Sequence, residues 1–206
     1  RDTMPDPHRI GLIGAGYIAD WHADAIAATP GVQLTAVCDP REAAASALAA
    51  QHGAQVFTSV DHLTASKTCD SVHIVTPPHI HEPLALQCLA AGLNVLVEKP
   101  VALSGDATQR IAEAAQAAGR RFSAGHNFLG LPAYARLKAE MQAGSYGRIH
   151  SAEIGWALPL APLRSGPYNL WLLERPQNLI LELGPHLFAF AQDLFGPIEV
   201  RYAEVS

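Results

Sequence analysis

Over the first 124 residues, short apolar runs alternate with longer alanine-rich stretches whose apolar positions recur at helical spacing. His8 to Ile13 predicts a buried strand, followed by a glycine turn and a helix from Tyr17 to Ala28 that Thr29-Pro30-Gly31 breaks. Val32 to Val37 predicts a second strand, Pro40 to His52 a helix ended by Gly53, and Gln55 to Phe57 a short third strand. Asp61 is read as the cap of a short helix after it. Val72 to Val75 predicts a fourth strand closed by Pro77-Pro78, and a helix through Leu84 to Ala91 ends at Gly92. Leu93 to Val97 predicts a fifth strand, stopped by Glu98-Lys99-Pro100. Ser104 caps a long helix that stops at Gly119, and Arg121 to Ala124 forms a sixth strand.

Strands and helices alternating at this spacing predict an α/β fold with a doubly wound parallel sheet of the Rossmann type, its buried strands reading as near-continuous apolar runs. The rhythm changes after residue 124. Leu131 to Ala143 predicts a helix, Ile149 to Leu158 a strand, and Leu187 to Phe195 a helix; Pro159 to Pro185 has weak periodicity, and Ile198 to Val205 alternates like a strand. The expected organisation is a dinucleotide-binding domain over 1–124 and an incomplete α+β open-sheet domain over 125–206. The chain begins at Arg1 and ends on an alternating segment with no turn or cap, so it is expected to be cut short.

Composition narrows the function classes. The 206 residues are 49% hydrophobic with a net charge of −5, which supplies no clustered basic surface for nucleic acid or anionic membrane. No apolar run reaches the roughly 18 residues of a membrane span, and the N-terminus lacks a secretory pattern. Cys38, Cys69 and Cys88 are sparse and form no C-x-x-C pair, which points to a reducing compartment, read as the cytoplasm.

Gly14-Ala15-Gly16-Tyr17-Ile18-Ala19 follows the first strand and opens the first helix. In such a loop the first glycine permits the tight turn, the second lets a pyrophosphate approach the backbone, and the small Ala19 lets helix and strand pack closely. The helix N-terminus offers free N–H groups to phosphate. Asp39 closes the second strand twenty residues after Ala19, placed to accept hydrogen bonds from adenosine ribose hydroxyls. An acidic residue there repels a 2′-phosphate, so NAD is expected ahead of NADP, with Arg41 softening the preference.

These motifs, with Thr76-Pro77-Pro78-His79-Ile80-His81 and Glu98-Lys99-Pro100, resemble those of the glucose–fructose oxidoreductase / inositol 2-dehydrogenase family. The resemblance continues through Asn127, Pro132, the turn Gly144-Ser145-Tyr146-Gly147 and the segment Glu182-Leu183-Gly184-Pro185-His186. It implies an NAD(P)-dependent dehydrogenase acting on a secondary alcohol of a sugar, polyol or related compound, with a second domain that often forms homo-oligomers. It further implies that Glu98 lies near the nicotinamide ribose, and that Lys99 and His186 belong to a Lys–Asp–His set whose aspartate is here Glu182. Thr76 and Pro77 are expected beside the cofactor, with His81 fixing the same loop. Departures from the family pattern fall at Gln177-Asn178, Ala189, Phe128 and Leu129, consistent with an atypical substrate pocket.

The chemistry of the residues agrees with that implication. A lysine at the C-terminal edge of a parallel sheet stands where such folds bind ligands and can stabilise a substrate oxygen as hydride leaves the adjacent carbon. Histidine is the natural proton acceptor near neutral pH, and Glu182, four residues earlier, shares a helical face with His186 and can orient it. Asn127, Arg164 and Trp171 are candidate substrate contacts. His79 and His81 lack a third ligand, so no metal is expected. Two other readings are a non-catalytic, dinucleotide-binding regulatory protein of the same fold and an enzyme that never releases its cofactor.

Overall fold

The computed structural model describes residues 6–157, 159 and 170–204. The chain divides into two compact units, Arg1–Gly125 and His126–Ser206.

The first unit is built on a six-stranded sheet in the order β3-β2-β1-β4-β5-β6, every pairing parallel. The strands are β1 (His8–Ile13), β2 (Val32–Cys38), β3 (Gln55–Phe57), β4 (Ser71–Ile74), β5 (Asn94–Val97) and β6 (Phe122–Ala124). Between them run α1 (Tyr17–Ala28), α2 (Glu42–His52), α3 (Val60–Ser66), α4 (His81–Ala90) and α5 (Gly105–Ala117). β1 lies between β2 and β4, so the order turns outward from it in both directions, as a doubly wound Rossmann sheet requires.

Each face of the sheet has its own core. On one, Ile10 and Leu12 of β1 and Leu34 and Val37 of β2 pack with Ala19, Ala23 and Ile26 of α1 and Ala45, Leu48 and Ala49 of α2. On the other, Val72, Ile74, Val95 and Val97 pack with Leu63 of α3, Ala85, Cys88 and Leu89 of α4 and Ile111 and Ala115 of α5. The expected continuous apolar run holds at β1 and β2. In β4 and β5, buried residues alternate with half-buried ones, because Ser71, His73, Asn94 and Leu96 face a groove rather than the apolar core.

Element ends follow local chemistry. The Ser104 side chain accepts from the Ala107 N–H and caps α5 as expected. The N-cap of α3 is Ser59, not Asp61, which sits inside the first turn where an acid favours the helix dipole. The helix expected from Leu84 starts at His81, continuing a 3-10 turn over Pro78–Ile80. All three cysteines are free and buried, and burial raises their thiol pKa values to about 11, 11 and 12, leaving them protonated.

In the second unit, α6 (Pro132–Gln142), α7 (Trp171–Glu174) and α8 (Pro176–Phe195) are helical. Tyr134 and Lys138 of α6 both donate to the Asp193 carboxylate of α8, at 2.6 and 2.8 Å. The helix expected from Leu187 begins eleven residues earlier, at Pro176, and carries Pro185 in its interior, where proline cannot donate to the Leu181 carbonyl. The strands expected over Ile149–Leu158 and Ile198–Val205 are not formed at residues 149–157 and 198–204. A strand exists through its ladder, and none of the described residues pairs with either segment. Leu158, Arg164 and Val205 lie outside the described residues.

Arg9 and Asp70 join the starts of β1 and β4, with Nη2 2.6 Å from Oδ1. The Arg9 hydrogen bond and the Arg9 backbone N–H lower the Asp70 pKa from 3.8 to about 2. A depressed carboxylate pKa contributes stability above the unfolded value and loses it as pH falls through the folded one. Asp70→Asn should therefore flatten the decline in stability between about pH 4 and pH 2 seen by acid denaturation. The effect should be at most about 1 kcal/mol, since solvent screens this exposed pair.

Candidate functional site

The C-terminal ends of β1, β2 and β4 open onto a cleft of about 790 Å³. It is lined by Gly14, Gly16, Tyr17, Ile18, Asp39, Arg41, Thr76 and Pro77 among others, so the sequence-predicted cofactor residues of these loops do meet. The two glycines differ in what they require. Gly14 has φ +106°, and a Cβ there would lie 2.8 Å from the Val75 carbonyl oxygen, so both conformation and space exclude a side chain. Gly16 has nothing within 4 Å of a notional Cβ and precedes α1 without any side-chain cap. The Ala19 N–H donates to the Gly16 carbonyl at 2.9 Å, which leaves the N–H groups ahead of it at the start of α1 for a ligand, and the bare Gly16 backbone gives that ligand access. Ala19 is fully buried between helix and sheet.

Asp39 is 5% exposed and its carboxylate is well used. Oδ2 accepts from the Ala15 N–H at 2.8 Å and from Arg41 Nη2 at 3.1 Å; Oδ1 accepts from the Arg41 N–H at 2.9 Å and Nε at 3.0 Å. Burial pushes the Asp39 pKa up, but the Arg41 and Ala15 hydrogen bonds prevail and hold it below the usual range. Arg41 is 68% exposed, so its contribution to the ion pair is weak and a ribose hydroxyl can displace it at small cost. The buried Thr76 Oγ1 has no hydrogen-bond partner among the described residues. An uncapped helix end, an unpartnered hydroxyl and an ionised carboxylate fit the phosphates and hydroxyls of a dinucleotide.

His81 does not line this cleft. It is fully buried, with Nδ1 2.9 Å from the Pro100 carbonyl oxygen and Nε2 2.7 Å from that of Thr76. Burial lowers its pKa against the two carbonyls that favour the charged ring. It ties the Thr76 loop to the segment after β5. His79 is exposed on the 3-10 turn, so the two histidines diverge.

Glu98 and Lys99 follow β5, and the Lys99–Pro100 peptide is cis. Glu98 accepts from the Lys99 N–H at 2.9 Å and lies 3.0 Å from His22 Nε2 of α1. His22 Nδ1 in turn lies 3.0 Å from His73 Nδ1 of β4. Sequence reasoning missed this chain, although a histidine at the centre of Val72-His73-Ile74 was a visible signal.

In the second unit, Glu182 and His186 lie one turn apart on α8. His186 is 6% exposed, with Phe128 and Trp156 rings at 4.5 and 5.2 Å. Phe128 and Asn178, which is 7% exposed, are two of the departures from the family pattern, and Phe128 forms part of the wall around His186. Asn127 is exposed on a 3-10 turn, Asn127–Gly130. Arg164 lies outside the described residues, as does the side chain of Trp171, whose backbone begins α7.

Sheet order, phosphate loop and acidic residue together define a dinucleotide-binding Rossmann fold. Residues 8–126 match the oxidoreductase family with an NAD-binding Rossmann fold, and the chain belongs to that family. It is 39% identical over 143 residues to inositol 2-dehydrogenase 4 of Saccharopolyspora erythraea, covering 68% of this chain and 42% of that protein. It is 32% identical over 184 residues to 1,5-anhydro-D-fructose reductase of Ensifer adhaerens, covering 87% of this chain and 54% of that one. The chain thus spans about half the length of these relatives. Among solved structures, GenD2 from gentamicin A biosynthesis in complex with NAD superposes with a TM-score of 0.78 at 27% identity, covering 95% of this chain and 55% of that one. Among the described residues, no helix is long and apolar enough to cross a membrane.

Gly14→Ala should destabilise the first unit by about 1–3 kcal/mol in urea unfolding, because the strained φ and the Val75 carbonyl cannot both relax. Gly16→Ala should shift the same midpoint little, since its Cβ meets open space.

Proposed function

We propose that the chain supplies the cofactor-binding part and reacting residues of an NAD-dependent oxidoreductase acting on a secondary alcohol of a sugar or polyol. The observation that carries this reading is the cleft at the end of β1. There an uncapped helix N-terminus, bare glycine backbone and an ionised Asp39 converge, with Lys99 at the end of β5 in the same sheet. The dehydrogenase and reductase names of the relatives support the substrate class.

Gly14, Gly16 and the first turn of α1 would hold the pyrophosphate, Asp39 the adenosine ribose, and Thr76 and Pro77 the cleft wall. When bound, the nicotinamide supplies the hydride acceptor. Lys99 donates a hydrogen bond to the substrate oxygen and stabilises the charge that develops there. His186 accepts the hydroxyl proton, with Glu182 one turn earlier orienting it. Free, buried cysteines support a cytoplasmic setting, and association of copies through a complete second domain belongs to the same proposal.

Calorimetric titration should show NAD binding more tightly than NADP. Asp39→Ala should weaken NAD by about tenfold or more, the loss of hydrogen bonds to a charged acceptor. Arg41→Ala should tighten NAD modestly and weaken NADP, since it frees Asp39 and removes the cation available to a 2′-phosphate. Lys99→Ala should abolish alcohol-dependent appearance of reduced nicotinamide absorbance while leaving NAD affinity nearly unchanged. A chain that binds NAD yet turns over no member of a sugar and polyol panel would favour the regulatory reading.

A further inference from the structure

Three polar side chains from three elements meet at the end of β5, and of these His22 and His73 have no part in the cofactor contacts described above. His22 of α1 stands between Glu98, at 3.0 Å from Nε2, and His73 of β4, at 3.0 Å from Nδ1. The side chains of His22 and Glu98 are 16% and 12% exposed. Burial pushes the Glu98 pKa up, but hydrogen bonds from His22 and then from the Lys99 N–H outweigh it and hold the carboxyl below its usual range. A carboxylate only accepts, so His22 Nε2 carries a hydrogen. Burial and then His22 lower the His73 pKa to about 4, so that ring is neutral at physiological pH. One hydrogen lies between the two Nδ1 atoms, and whichever ring supplies it, the His22 Nε2–H still points at Glu98.

The carboxylate is confined on a further side. A Cβ at Gly125 would meet Glu98 Oε1 at 3.0 Å, so the chain runs past it with no room to spare. α1 therefore makes two contacts of different kinds. Its N-terminus opens onto the cleft, and five residues beyond Tyr17 it grips the acid that precedes Lys99. A single rigid helix thereby relates the phosphate end of the cleft to the end of β5.

We propose that His22 is a positioning residue: it fixes the orientation of the Glu98 carboxylate, which the family resemblance sets beside the nicotinamide-side ribose, while the N-terminus of the same helix holds the pyrophosphate. This rests on the reading of the cleft as an NAD site. Among the described residues, His22 Nε2 donates to Oε1 and the Lys99 N–H to Oε2, and each oxygen keeps acceptor capacity for a ligand hydroxyl. His73 backs the His22 ring from the other side and fixes its orientation, as a partner on the second nitrogen does for a working imidazole.

The test compares H22L, H22Q and H22N in the whole chain by calorimetry with NAD and with ADP, which lacks the nicotinamide-side ribose. The Gln Nε2 is as many bonds from Cβ as the His Nε2 and can reach Glu98. The Asn Nδ2 matches Nδ1 and reaches only toward His73. H22L should bind NAD about tenfold more weakly, H22Q should regain most of that loss, H22N should not, and ADP affinity should be equal in all. Equal NAD affinity in H22L and wild type, rescue by H22N as good as by H22Q, or a parallel loss of ADP affinity would each overturn the role of His22 alone. If H22L fails to fold, the contrast between H22Q and H22N decides the matter. A wild-type chain that binds neither NAD nor ADP would overturn the reading of the cleft itself, and with it this proposal.

Discussion

The first unit depends on the two-sided parallel pairing of β1, with β2 on one flank and β4 on the other. A parallel neighbour requires a crossover connection, and the crossovers on the two flanks lie against opposite faces of the sheet. The loops leaving β1 and β4 therefore diverge, and a crevice opens between them at the carboxyl edge. α1 starts from that crevice because its strand ends there. The N–H groups that open it, ahead of the Ala19 N–H bonded to Gly16, face the open space. The cleft is thus a consequence of strand order before any side chain is chosen.

Side chains then determine what the crevice accepts, and they do so by partnering buried polar groups. Burying a carboxylate or an imidazole without partners costs several kcal/mol, so each is placed where backbone or side-chain groups meet it. Asp39 is held by the Ala15 N–H, which ties the β2 end to the phosphate loop. His81 spans two carbonyls and ties the Thr76 loop to Pro100. His22 and His73 tie α1 and β4 to Glu98. Loops that would otherwise move independently are cross-braced around one cleft, and Thr76 Oγ1 is left as a buried hydroxyl for which the described protein offers no partner.

The second unit is organised differently. α6 and α8 are joined through Asp193, and the aromatic rings of Phe128 and Trp156 surround His186. Phe128 presents an apolar ring to the imidazole, with ring centroids 4.5 Å apart.

In the first unit, strand and helix positions were legible because buried strands leave short apolar runs and half-buried helices a periodic one, and because glycine and proline punctuate them at Gly14, Gly31, Gly53 and Pro77. The phosphate loop was legible for a related reason: at Gly14 the backbone itself excludes every other residue. Sequence alone could not place what depends on contacts between distant segments. His22, His73 and Glu98 are separated by 51 and 25 residues and carry no common motif, so only the tertiary fold, which brings the His22 side chain within reach of both, unites them. The saturation of Asp39 by Arg41 was likewise invisible, since two residues of spacing do not say which way a guanidinium turns. The alternating segments at 149–157 and 198–204 mark the other limit: alternation gives a segment the potential to be a strand, but a ladder needs a second segment beside it, and that is a property of tertiary structure.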